Sequence, residues 1–256
     1  MNPALLRASS SSSLPAFLYH GTTARAVGKI LVQGLRPRGR RKGNYAKPLS
    51  SEGRNVYLTT VYGPAYACRV RPSWRERLAV LEIDTTHLDT TFLRPDEDYM
   101  TQSVIPIHLA SADAAYGLAV HAEMRSRLDD FQEMWRVSLA DLGTVAYQGA
   151  ISPAAITRVA EFDPKEVPEM VVAMSEVSLN ILGHLTRGPQ IAAWTRWLFD
   201  GPSAVQVSDF DLMMKAIEGK DDGEVPAGLR EFARRQEEEL RPILDRWNAE
   251  VSMPSR

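Results

Sequence analysis

Residues Leu18–Val70, LYHGTTARAVGKILVQGLRPRGRRKGNYAKPLSSEGRNVYLTTVYGPAYACRV, constrain this chain more than any other stretch. Phe17–His20 is short, apolar and aromatic, the composition of a buried strand, and runs into Gly21-Thr22, where a tight turn is expected. Val27, Ile30, Leu31 and Leu35 then recur at helical spacing, with Gly34 as the stop. Pro37–Tyr45 is basic, carries glycine and has no periodicity, so it reads as loop. Asn55–Thr59 is a second strand, and Pro64–Val70 a short helix with proline suited to its first turn. Strand, turn, helix, loop and strand place a histidine and a tyrosine on two strands. Glycine falls where backbone must come close to a ligand.

Leu78–Asp84 is the clearest core strand, an aliphatic run with polar residues entering at its end. Leu93–Met100 reads as an acidic turn and Val104–Ile107 as a further strand. Ser111–Leu142 reads as helical, with Leu118, His121, Met124, Leu128, Phe131, Met134 and Trp135 at three- and four-residue spacing. Thr144–Tyr147 and Ile156–Phe162 are strands again. From Asp163 the pattern is helical only, with helices expected at Val167–Leu185, Pro189–Phe199, Asp209–Glu218 and Ala227–Val251, broken at Gly188, Gly201 and Gly219. The division expected is a leader over 1–15, a mixed domain over 16–163 and a helical region over 164–256.

Composition excludes several classes. No run of about 18 apolar residues exists to span a membrane, and residues 1–15 lack the apolar stretch of a signal peptide. Cys68 is the only cysteine, which excludes an internal disulfide and a multi-cysteine metal site. His20, His87, His108, His121 and His184 show no ligand spacing, so no metal is expected, and the cytoplasm is the expected compartment. The net charge of −2 hides an asymmetry. Residues 1–80 hold 14 Lys/Arg against 2 acids, whereas residues 81–256 hold 16 against 30. A basic half of this kind suits a phosphate-bearing partner, the cofactor alone or a nucleic acid as well.

Taken together, His20-Gly21-Thr22, the Ile30–Arg36 segment ILVQGLR, and Val56-Tyr57-Leu58 resemble the catalytic domains of the ADP-ribosyltransferase superfamily, most closely the poly(ADP-ribose) polymerase branch. There a His-Gly-Ser/Thr strand end, an I-L-x-x-G-L-R helix exit and an aromatic G-x-Y-F/L strand build the nicotinamide pocket. The resemblance implies an α+β fold with a split-sheet core, two small packed sheets around an NAD cleft, and a C-terminal helical region appended. NAD would be the co-substrate. Gly21 would offer its backbone to the carboxamide, which a side chain there would obstruct, and Tyr57 would stack on the nicotinamide ring. His20 and Thr22 would bind ribose hydroxyls, and Arg36 would reach the adenosine-phosphate half. Tyr62 and Tyr66 are candidates for a second aromatic wall.

The family's third position is a glutamate on a later strand, before a hydrophobic-x-Pro turn. Gly143–Pro153 stands there and contains no glutamate. Thr144 is the first choice for the position and Gln148 the second, though neither is a carboxylate base. This departure points to single ADP-ribose transfer or to a base from elsewhere. Glu82, Asp96, Glu97 and Asp98 are the available carboxylates, with Glu82 reading as structural and the acidic turn as solvated or, as a second reading, as a site for a basic acceptor group. The activity expected is NAD-dependent mono-ADP-ribosyl transfer to a macromolecule. The basic half favours nucleic acid over protein as acceptor, and a toxin or phage-defence role fits by analogy. An NAD glycohydrolase and a non-catalytic NAD- or ADP-ribose-binding module are the other readings. An RNA 2′-phosphotransferase is a minor one, since Tyr19 precedes His20 where that family has arginine, and Tyr57 stands where it has histidine. Trp194, Trp197, Leu198 and Phe199 read as core, and the C-terminal helices also offer a face for a partner such as an antitoxin.

Overall fold

The computed structural model describes residues 14–39, 51–70, 75–104, 114–167 and 181–201. The strands are β1 (Phe17–Thr23), β2 (Asn55–Thr59), β3 (Leu78–Asp84), β4 (Leu93–Arg94), β5 (Thr144–Gln148) and β6 (Ile156–Phe162). The helices are α1 (Ala24–Gln33), α2 (Gly63–Val70), α3 (Glu97–Val104), α4 (Ala114–Ser126), α5 (Trp135–Leu142) and α6 (Ile181–Asp200). All six strands join one antiparallel sheet in the order β4-β5-β2-β1-β3-β6.

β3 explains how both faces of the sheet are covered. Its side chains alternate, Leu78 and Val80 into one core with α2, α4 and α6, Ala79, Leu81 and Ile83 into a second with α1. A strand buried on both faces must be apolar throughout, which is why this run is the most legible in the sequence. Glu82 is the exception. It is 1% exposed, and its carboxylate accepts Arg158 Nε–H at 2.8 Å and Thr157 Oγ–H at 2.8 Å. Arg158 also pairs with Asp200 and lies over the Phe199 ring, so Glu82 is structural, as its strand position implied.

The sheet is thinnest between β1 and β2. β1 pairs with β3 along its whole length, and β2 with β5 likewise, yet β1 and β2 share the single residue pair Tyr19↔Thr59. The two small packed sheets expected from the resemblance are not separate: all six strands join one sheet, whose β4-β5-β2 and β1-β3-β6 halves meet at that pair. The fold is mixed α+β with an antiparallel sheet.

Several local expectations are corrected. No turn occurs at Gly21-Thr22, because β1 continues to Thr23 and α1 starts at once. Within Leu93–Met100, β4 pairs with β5, and α3 begins at Glu97 with Asp96 as its cap, the Asp96 carboxylate accepting Asp98 N–H at 2.9 Å. Val104 ends α3 rather than starting a strand, and residues 105–110 lie outside the described residues. The long helix expected over Ser111–Leu142 is two, broken between Leu128 and Trp135 because those side chains enter different cores. The expected break at Gly188 is absent, since α6 runs through Gly188-Pro189. Burial of Ile191 and Thr195 against the sheet domain outweighs the hydrogen bond that proline removes. Trp194, Leu198 and Phe199 pack on that core, while Trp197 is 39% exposed. The leader through Ser13, most of the basic loop, and the helices expected at Asp209–Glu218 and Ala227–Val251 lie outside the described residues.

Candidate functional site

A cavity of about 370 Å³ opens where the β1–β2 ladder stops. Extrapolating the register from Tyr19↔Thr59 would pair Gly21 with Tyr57 and Thr23 with Asn55, but the strands diverge and these residues line the cavity instead. Backbone groups in an antiparallel strand point to alternate edges. The Tyr57 carbonyl faces β1, since His20 Nδ1 lies 3.0 Å from it. Gly21, two residues beyond Tyr19, turns its own N–H and C=O to the same gap. An unzipped ladder inside a protein presents a donor and an acceptor side by side, the complement of a planar carboxamide.

His20 bridges the gap. Its Nδ1–H donates to the Tyr57 carbonyl, which fixes the tautomer and leaves Nε2 as an acceptor. Burial lowers the His20 pKa, partly offset by that bond, so the ring is neutral at pH 7.

Gly21 is required for a reason other than the one the resemblance implied. A Cβ built there would stand 2.2 Å from the Gly63 carbonyl oxygen and 2.3 Å from the Ala67 nitrogen. The missing side chain makes room for the backbone of α2, and α2 in turn carries Tyr66 and Arg69 into the cavity wall. Gly34 does similar work at the exit of α1. It has φ of 76°, its Cβ would meet the Ile151 carbonyl at 2.1 Å, and the Leu35–Ile151 bridge it permits delivers Arg36 and Arg38 to the cavity.

Of the expected site residues, His20, Gly21, Thr22, Arg36, Tyr57 and Tyr66 line this one cavity. Tyr62 does not: it is fully buried in the core beside Tyr66. Thr144 and Gln148 are also corrected. Thr144 is fully buried opposite Thr59, and its hydroxyl has no hydrogen-bond partner among the described residues. Gln148 accepts from Arg94 Nη2 at 3.0 Å at the far end of β5. Neither lines the cavity.

The carboxylates come from the corner between β4 and α3. Asp96 and Glu97 are 5% and 2% exposed and line the cavity with Asp98, so the acidic segment is not the solvated turn expected. Glu97 lies directly against Tyr57, whose Oη is 2.6 Å from Oε1 and 2.7 Å from Oε2. The Glu52 N–H is shared between Tyr57 Oη at 2.9 Å and Glu97 Oε1 at 3.0 Å. Burial, then the charges of Glu97 and Asp96, push the Tyr57 pKa well up, so the phenol stays protonated and donates. Asp96 is anchored from behind: its N–H donates to Ser138 Oγ at 3.0 Å, and Ser138 donates to the Thr144 carbonyl at 2.9 Å. Sequence reasoning missed this placement because α3 reaches the cavity only through the pairing of β4 with β5.

Desolvation first, and then the charge of Asp98, raise Asp96 to about 7; desolvation first, and then the charges of Asp96 and Asp98, raise Glu97 to about 8. Between the ordinary carboxylate range and those values the folded state holds protons that the unfolded state has released. Stability therefore falls as pH rises through that window. Glu97→Gln removes one of the two groups. Thermal melts of wild type and variant should be alike near pH 4.5 and diverge by pH 8.5, with the variant melting higher. Parallel curves across the range would contradict the repulsion.

No family model, curated protein or solved structure matches the chain. Its fold and cavity define the class: an α+β protein with a bipolar pocket in a sheet gap, arginines on one wall and carboxylates on another. No helix among the described residues is long and apolar enough to cross a membrane.

Proposed function

We propose that this cavity binds NAD, cleaves the nicotinamide–ribose bond and transfers a single ADP-ribose. The observation that carries the reading is the convergence of His20, Gly21, Thr22, Arg36, Tyr57 and Tyr66, chosen from sequence, on one cavity that also holds an unexpected carboxylate, Glu97. The unzipped edge at Gly21 takes the carboxamide. The Tyr57 and Tyr66 rings bound the nicotinamide. Neutral His20, through Nε2, accepts from a ribose hydroxyl. Arg36, Arg38 and Arg69 supply the cations a pyrophosphate needs.

Cleavage passes through an oxocarbenium-like state, and a carboxylate near the ribose stabilises the positive charge that develops. Glu97, ionised above its pKa of about 8, takes that part in place of Thr144 or Gln148. Its contact with Tyr57 ties the ring that holds the leaving group to the group that stabilises what remains.

Incubation with NAD labelled on its adenine phosphate tests this directly, comparing wild type with His20→Ala and Tyr57→Ala. Wild type should release nicotinamide and leave label on an acceptor, and both variants should lose at least 90% of that signal. Free labelled ADP-ribose as the sole product would make the protein a glycohydrolase. NAD left intact by the wild type would overturn the enzymatic reading.

A further inference from the structure

We infer that the acceptor end of this pocket takes a guanidinium or primary ammonium group, so that the acceptor is a basic side chain rather than a nucleic acid; this rests on the NAD reading for its catalytic step, though not for its binding step. Three observations converge. Asp96, Glu97 and Asp98 are consecutive cavity residues, and no arginine or lysine among the described residues forms an ion pair with Asp96 or Glu97. Among the described residues Glu97 receives donors only from Tyr57 and Glu52, leaving lone pairs unused on a carboxylate that is 2% exposed. Asn55 lines the same cavity, is 6% exposed, and its Oδ1 has no hydrogen-bond partner.

Capping of α3 explains part of this cluster. Asp96 spends one oxygen on the cap, and Asp98 lies 3.2 Å from His121 Nε2. Neither fact accounts for Glu97, which turns away from its helix to Tyr57, or for the orphaned amide oxygen of Asn55. Buried acceptors without donors are costly, and they are satisfied together by a donor-rich cation. A metal ion fits poorly, because no group of three or more acidic, histidine or cysteine side chains among the described residues is arranged to hold one. A phosphodiester backbone would meet three carboxylates.

The arginine wall and the carboxylate wall then divide the substrates: pyrophosphate against Arg36, Arg38 and Arg69, acceptor against Glu97 and Asn55. One acceptor N–H proton passes to the Glu97 carboxylate. The nitrogen lone pair forms a bond to C1′ of the ribose. The C1′–nicotinamide bond breaks, and its electron pair leaves with neutral nicotinamide. No further reactant is needed.

The probe is agmatine, a guanidinium on a short alkyl amine, titrated calorimetrically at low salt into the full chain. N-Butylurea, which carries no cation at either end, is the neutral control. We expect saturable agmatine binding, at least tenfold weaker binding of the urea, and at least tenfold weaker agmatine binding to Glu97→Gln and to Asn55→Leu. Circular dichroism monitors the folding of each variant, and Glu97→Gln, an isosteric change, carries the test if Asn55→Leu fails to fold. Absence of saturable binding, or equal binding of the two probes, would overturn the inference. So would ADP-ribosylation of a single-stranded RNA oligonucleotide with none of agmatine. Nicotinamide release without agmatine binding would overturn the cation site and leave the NAD reading standing. Agmatine binding with NAD untouched would do the reverse.

Discussion

Glu97→Gln should lower the rate of nicotinamide release by about 10²- to 10⁴-fold, the range spanned by the loss of a positioned acid or base, with little change in the affinity for NAD. The substitution keeps an oxygen near Tyr57 Oη, so the ring should hold its place. It removes the negative charge on which stabilisation of the ribose cation depends. Because the variant should also be the more stable protein at pH 8.5, loss of activity cannot be put down to unfolding. Single-turnover rates at saturating NAD and pH 8.5, where Glu97 is mostly ionised, are the measurement. Thr144→Ala and Gln148→Ala provide the contrast, since neither residue lines the cavity, and both should retain turnover within a few-fold. Wild-type rates in Glu97→Gln, or a collapse in Gln148→Ala, would return the third position to β5.

Gly21→Ala should be strongly destabilising. Overpacking a core typically costs ~1–3 kcal/mol, and here the methyl would stand 2.2 Å and 2.3 Å from backbone atoms of α2, which have no rotamer to give way. The upper end of that range corresponds to about 6–12 °C in melting temperature for a protein of this size. Displacement of α2 would also draw Tyr66 and Arg69 from the wall, so NAD affinity should fall with stability. Differential scanning calorimetry and NAD titration on one preparation check both. A variant with the wild-type melting temperature and no NAD binding would mean that the glycine serves the ligand and not the helix.

How much of this was legible depends on the range of the interaction that decides each element. β3 and β6 could be read to the residue, because a strand covered on both faces or paired along its length announces itself by local composition. The cavity wall built from β1, α1 and β2 was legible for a related reason. His20-Gly21-Thr22 lies on β1, Gly34-Leu35-Arg36 follows α1 and Tyr57 lies on β2, all within a stretch of some forty residues, and a short stretch of strand, helix and strand has few ways to close.

The acidic wall was not legible in the same way. Thr144 and Gln148 sit on the expected strand, yet the carboxylate that lines the cavity is Glu97, placed by the pairing of Leu93 with Tyr147 some fifty residues away. A charged run in a sequence looks the same whether it is solvated or folded into a cavity. Burial alone separates the two, and burial is a property of the neighbours. Gly188-Pro189 likewise looked like a stop until Ile191 and Thr195 found their places on the sheet domain.

What the sequence determined by itself is the mixed α+β class, the strands whose apolar pattern is local, and the residues that β1, α1 and β2 bring to one cavity wall. Only the tertiary structure decided that the sheet parts after Tyr19↔Thr59, that Gly21 yields its side chain to α2, and that Glu97 stands against Tyr57. Each of these is a contact between segments remote in the chain, whose energy exists only once desolvation and packing have brought them together.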